Sequence, residues 1–330
     1  MIRHRQAPHR HLRIRAFVAA LVGVALAALL GPGSPAAAAA DGPPLNTPVA
    51  TLDAAVRCPS PFQHPDREPV LLVHGTSSTY DESWGWGYLP ALRNAGYDVC
   101  GVTLPNRSMG DIQNSSEYVV HAIDRIQAAT GRKVDVIGHS QGNMQIRWAL
   151  KWWPGLQTKV DDAVLLANPG HGIGGGNLFC AIPCAPALHQ FSLGSHFLAA
   201  LNTGDETPGP VSYTNLYSYT DEAIVPVTTA PVNGARNISM QSVCPGRIVT
   251  HFGFLYDSVV YRTVVDALSH SGTAEPGRLP FGKCLDVNLP GVSVAEATAA
   301  TAVAAANMSA ELLSASKVWA EPSLRSYATP

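Results

Sequence analysis

The stretch Val134-Asp135-Val136-Ile137-Gly138-His139-Ser140-Gln141-Gly142-Asn143 decides the fold. Val134 to Ile137 reads as a short buried strand, and the amphipathic run from about Asn143 to Trp153, stopped by Pro154, reads as a helix. Between them Gly138-His139-Ser140-Gln141-Gly142 has the spacing G-x-S-x-G. Set between a strand and a helix, that pattern is a nucleophile elbow. Its glycines let the chain turn tightly, its serine projects a hydroxyl, and the next amide faces the reaction centre. The competing reading is a glycine-rich turn whose serine only caps the helix.

Similar units flank this one. Val70 to Val73 is a strand ending at His74-Gly75-Thr76, and Tyr97 to Val102 is another. Asn114 and Glu117 have capping-box spacing ahead of a helix whose Tyr118, Val119, Ala122, Ile123 and Ile126 share one face until Gly131. Further strands are expected at Val160 to Ala167, Val211 to Tyr219 and around Ile238 to Val243, and a helix from about Gly253 to Leu268. This alternation predicts an α/β fold with a mostly parallel central sheet flanked by helices on both faces. Residues 41–69, rich in proline and polar residues, read as an arm over the first strand. Asn168 to Pro210 reads as a surface excursion that lines a binding site. Ser293 and Glu296 open an alanine-rich C-terminal helix running to about Leu313, resting on a surface or over a cavity.

Composition narrows the function. The 330 residues are 46% hydrophobic and 14% charged, which excludes a disordered chain or a coiled coil. Five of the 22 basic residues, Arg3, Arg5, Arg10, Arg13 and Arg15, precede the apolar run Ala16 to Leu30 and the small residues Ala38-Ala39-Ala40. Residues 1–40 therefore read as a secretory signal peptide, leaving 41–330 as a single secreted domain. That remainder holds 17 basic residues against all 24 acidic ones, a net charge of −7, which argues against nucleic-acid binding. It has no uninterrupted apolar run long enough for stable membrane insertion. All six cysteines, Cys58, Cys100, Cys180, Cys184, Cys244 and Cys284, lie within it. They are read as structural disulfides with fifteen possible pairings. The Cys180/Cys184 spacing lacks the second ligand pair that a tetrahedral metal site needs.

A serine nucleophile requires a base, and the base requires an acid that fixes its tautomer; in this architecture the acid and then the histidine follow the serine. Of His171, His189, His196, His251 and His270, only His251 lies on a loop after an apolar segment at the sheet's C-terminal edge. His270, at a helix end, is explained by the helix dipole. Asp161 and Asp162 precede a strand and so point to the far end, and Asp205 belongs to a turn. Asp221 follows the strand Val211 to Thr220 on the correct side, with Glu222 as its competitor. The amides of Gln141 and Thr76 are the candidate oxyanion donors, with the Thr76 hydroxyl as a third, while His74 shapes its loop.

The chain resembles the Candida antarctica lipase B-like family of α/β-hydrolases. The resemblance runs through Leu72-Val73-His74-Gly75-Thr76, Gly96-Tyr97-Asp98-Val99-Cys100, Asn114 to Ile123, Ser140-Gln141-Gly142, Asp221-Glu222-Ala223-Ile224-Val225-Pro226, Val243-Cys244 ahead of His251, and Glu321 to Ala328. It implies a secreted lipase or esterase cleaving apolar esters, with Ser140, Asp221 and His251 as the triad and Thr76 and Gln141 as the oxyanion hole. It also implies bridges Cys58–Cys100 and Cys244–Cys284, leaving Cys180 with Cys184. Two departures stand out. His139 occupies a pocket position where the family's type member has tryptophan, which predicts a more polar, titratable wall. Ala320 replaces the first cysteine of a C-terminal bridge. The expected protein is monomeric, acts on lipid or other apolar esters and needs no cofactor. Rival readings are a polyester depolymerase, an acyltransferase, or a non-catalytic binding protein with Trp84, Trp86, Trp148, Trp152 and Trp153 as its surface.

Overall fold

A computed structural model describes residues 41–328; the signal-peptide reading of residues 1–40 lies outside the described residues. Seven strands form one sheet: β1 (Val56–Arg57), β2 (Val70–Val73), β3 (Val99–Val102), β4 (Val134–His139), β5 (Val160–Leu166), β6 (Ser212–Tyr217) and β7 (Arg236–Ser239). Their order is β1-β3-β2-β4-β5-β6-β7, parallel throughout except for β1. The principal helices are α1 (Val49–Ala55), α2 (Ile112–Thr130), α3 (Gly142–Trp152), α4 (Gly174–Phe179), α5 (Pro186–Gln190), α6 (Ser258–Leu268) and α7 (Val294–Ser314).

The central strands are buried on both faces, so β2 reads as an unbroken apolar run rather than an alternating one, and β4 buries Asp135 and His139 among its apolar residues. On one face Leu71, Val73, Val136 and Leu165 pack with Val119 and Ile123 of α2 and Met144 of α3. On the other, Val70, Leu72, Ile137 and Val164 meet Trp84, Tyr88 and the Val260 and Val264 side chains of α6. The register sets Val73 beside Gly138, His139 beside Leu166, Leu166 beside Leu216 and Tyr217 beside Ser239. The exits of β2, β4, β6 and β7 therefore open on one rim of the sheet.

Several sequence expectations are corrected in detail. The arm forms α1 and β1 and pairs antiparallel with β3, Val56 opposite Val102, so it closes the sheet edge rather than covering β2. Helix α2 starts at Ile112 under an Asp111 cap, whose Oδ1 accepts from the Gln113 amide at 2.9 Å. Glu117 does not complete a capping box with Asn114, because its carboxylate accepts instead from both Asn46 and Thr47 of the arm. The segment around Ile238 to Val243 leaves the sheet at Ser239, whose hydroxyl caps a single helical turn, Met240–Val243. The helix expected from Gly253 is split into a 3-10 turn, Phe252–Leu255, and α6, which Asp257 caps.

The excursion is more regular than expected. It holds α4, α5 and a third short helix, His196–Asn202, and the buried Arg147 reaches into it to Asn202, Glu206 and the Gly170 carbonyl. Helix α7 begins with the expected Ser293/Glu296 capping box, and Ala297 is its one buried residue. The five tryptophans of the binding-protein reading do not form an exposed surface: Trp84, Trp148 and Trp153 are buried and Trp86 and Trp152 half-buried, with Trp148 stacked on Phe197 at 4.5 Å. Disulfides join Cys58 to Cys100, Cys180 to Cys184 and Cys244 to Cys284. The first and third span 42 and 40 residues and each restricts the unfolded chain by about 4 kcal/mol.

Candidate active site

Ser140 sits at the exit of β4 with φ of +53°, a left-handed conformation that costs a non-glycine residue of order 1–2 kcal/mol. The surroundings enforce it. A Cβ on Gly142 would lie 2.5 Å from the Val73 carbonyl oxygen, and one on Gly138 would lie 2.4 Å from Asn143 Oδ1, so glycine is required on both sides of the turn. The Ser140 amide donates to the Leu166 carbonyl at 2.9 Å, and Asn143 Nδ2 donates to the carbonyls of Ser140 and Leu166, locking the elbow to β5.

The Ser140 hydroxyl lies 2.9 Å from His251 Nε2, and His251 Nδ1 lies 3.0 Å from Asp221 Oδ2 and 3.1 Å from Oδ1. With the proton on Nδ1, His251 donates to Asp221 and accepts from Ser140. Asp221 also accepts from the Ala223 and Ile224 amides at 2.9 and 3.0 Å. Burial works against its charge, but the adjacent His251 and these amides outweigh burial and hold its carboxyl below the usual range. Glu222 touches His251 at a different point: its Oε2 accepts from the His251 main-chain N–H at 2.9 Å.

The other histidines and aspartates stand apart from this group. His171 faces Glu206, His189 the Val318 carbonyl and His270 the Asp266 carbonyl. Asp205 accepts from the Thr207 amide within a turn, and Asp161 and Asp162 lie at the start of β5, away from the rim. His74 is buried in its loop: Nδ1 donates to the Gly75 carbonyl, Nε2 accepts from the Leu104 amide, and burial pushes it down to about 4.

Gln141 caps α3 directly after Ser140, so its N–H lies among the first-turn amides that have no acceptor within the helix. Thr76 lies across from it, but its hydroxyl donates to Gln141 Oε1 at 2.6 Å rather than standing free as a third donor. Gln141 Nε2 is left buried without a partner. Turning that amide by 180° would let Nε2 donate to Thr76 Oγ1 and free the hydroxyl hydrogen for another acceptor.

His139 corrects another expectation. It lines a cavity beside Ser140, but burial and then the neighbouring His251 push its imidazole down to about 3, so that wall is a neutral ring rather than a titrating one. Its Nε2–H donates to the His251 carbonyl at 2.9 Å.

Two cavities of about 350 Å³ each meet at Ser140 and His251. One runs past His139, Trp86 and Leu255 under Ala300 and Ala304 of α7. The other runs past Ile173, Phe179, Leu188 and Phe191 of the excursion, with Met308 of α7 bordering both. Helix α7 is anchored over them by Arg107, which pairs with Glu82 at 2.6 Å and Glu311 at 3.0 Å.

The sequence reading did not single out the supports of the His251 loop. Besides Glu222 and His139, the Thr220 hydroxyl accepts from the Val249 amide and donates to its carbonyl. The available signal was position: Thr220 and Glu222 flank Asp221, and His139 precedes Ser140.

A parallel sheet with a serine elbow, an imidazole and a carboxylate on one rim is the architecture of the α/β-hydrolase class. The chain belongs to the class 2 lipase family, whose pattern it matches over residues 67–249. It is 30% identical over 298 residues to lipase B of Pseudozyma antarctica, covering 87% of each chain. The crystal structure of Aspergillus fumigatus lipase B superposes with a TM-score of 0.82 at 29% identity, over 88% of this chain and 74% of that one. Mature Bacillus licheniformis lipase BlEst2, at 18% identity and a TM-score of 0.50, covers 61% of this chain and 92% of its own and shares the fold alone. The protein is a carboxylic ester hydrolase.

Proposed function

We propose that the protein is a secreted lipase or esterase in which Ser140, His251 and Asp221 form the catalytic triad. The observation that carries this reading is the continuous hydrogen-bonded line from Ser140 Oγ through His251 to Asp221, lying where two largely apolar cavities meet. Ser140 Oγ attacks the ester carbonyl while His251 Nε2 takes its proton. Asp221 stabilises the imidazolium, and the amides of Gln141 and Thr76 hold the oxyanion. His251 then returns the proton to the leaving alcohol, and a water activated by the same nitrogen cleaves the acyl-enzyme.

One cavity for the acyl chain and one for the alcohol suit an apolar ester with substituents on both sides of the carbonyl. Residues 1–40 act as the signal peptide and residues 41–330 as a single catalytic domain. Three disulfides fit an oxidising compartment, and no helix among the described residues is long and apolar enough to cross a membrane. The test is turnover of p-nitrophenyl esters, emulsified triolein and polyester film by the parent and by Ser140→Ala. The parent is expected to hydrolyse the first two, and the variant to lose about a millionfold in kcat with its Tm unchanged. Full turnover by Ser140→Ala overturns the reading.

A further inference from the structure

We infer that Glu222 and His139 are positioning residues that clamp the main chain of His251 from both sides. The inference rests on the triad reading above. His251 lies on a loop, with φ −54° and ψ −50°, immediately before the 3-10 turn Phe252–Leu255. Asp221 orients its ring, but a loop backbone free to drift would carry the ring away from Ser140. Both polar groups of the residue are held. Its N–H donates to Glu222 Oε2 at 2.9 Å, and its carbonyl accepts from His139 Nε2 at 2.9 Å.

The grip is tied to the reaction geometry through the chain itself. Glu222 is bonded to Asp221 and His139 to Ser140, so His251 cannot move relative to either partner without stretching one of these hydrogen bonds. The Thr220 hydroxyl adds a third hold two residues earlier, on both main-chain groups of Val249. His139 is itself fixed, 2% exposed with its ring centroid 6.4 Å from that of Trp84 and 5.0 Å from that of His251. It therefore acts as a rigid donor. Glu222 is exposed to solvent, so its replacement leaves the core intact.

The test compares Glu222→Ala with Glu222→Gln, and His139→Phe with His139→Gln. The glutamines keep an acceptor or a donor without the original charge or ring. His251→Ala runs in the same series, with kcat and KM on p-nitrophenyl butyrate and Tm for each. Glu222→Ala and His139→Phe are expected to lose about tenfold in kcat with little change in KM, because sub-ångström drift of a catalytic group is costly. Glu222→Gln and His139→Gln should recover most of that loss. Parent-like kcat in Glu222→Ala and His139→Phe, or a loss that neither glutamine restores, overturns the clamp. An inactive His251→Ala beside such a result leaves the triad standing, whereas an active one removes the triad and the clamp with it.

Discussion

The two ends of the same sheet treat buried aspartates in opposite ways. At the exit rim Asp221 is 7% exposed, yet a histidine and two amides surround it and keep its carboxyl ionised. At the entry end Asp135 and Asp162 are 1% and 4% exposed, and each keeps an oxygen without a partner. A shift in register between Val134 and Val136 sets Asp161 and Asp162 together against Asp135, whose Oδ1 accepts only a 3.3 Å bond from the Asp162 amide. Burial first, and then neighbouring carboxyls, push Asp162 up to about 8 and Asp135 well above its ordinary range. Burial among other carboxyls therefore neutralises an aspartate; a histidine partner and amide donors turn the same residue into a fixed charge. Only the end that supplies them can stabilise an imidazolium.

Substitutions at the two ends sharpen this contrast. The largest effect belongs to Asp221→Asn, which leaves the fold intact but favours the wrong His251 tautomer; kcat should fall by about ten-thousandfold. A loss of only a few-fold in steady-state kinetics would make the Asp221 charge dispensable. Thr76→Val comes next. Removing the hydroxyl beside Gln141 should lower kcat by about a hundredfold if the Gln141 amide turns to free it for the oxyanion. Unchanged kcat would confine Thr76 to its main-chain donor.

The smallest effect belongs to the entry end, where Asp162→Asn should leave ester turnover unchanged and alter stability alone. A carboxyl that titrates near 8 when folded and near its ordinary 3.8 when unfolded binds a proton more tightly in the native state. Its stabilising contribution is therefore complete below pH 3.8 and declines as pH rises toward 8. The asparagine removes that slope. Thermal melts should nearly agree at pH 4 and show the variant about 10 °C more stable at pH 8. A variant less stable at pH 8 would mean that Asp162 is charged and paired in the native protein.

Much of the rim was legible in the sequence because chain order and strand ends constrain it strongly. A serine between Ile137 and Asn143, an aspartate on the loop after β6 and a histidine past β7 have no choice of side once the sheet is parallel. What escaped depends on contacts remote in sequence. The Asn114/Glu117 spacing matched a helix start, but Glu117 is taken up by Asn46 and Thr47, about 70 residues upstream. The two-residue strand β1 is too short to carry any periodicity and is defined by pairing with β3 and the bridge to Cys100. His139 resembled a titrating pocket wall because its bond to the His251 carbonyl, 112 positions away, leaves no local trace.

The most direct test of the account is stoichiometric labelling with a serine-directed phosphonate, read by intact mass and peptide mapping. One adduct per chain is expected, confined to the Ser140 peptide and nearly absent in His251→Ala. An adduct on another serine, or undiminished labelling without His251, would contradict the triad at the centre of this account.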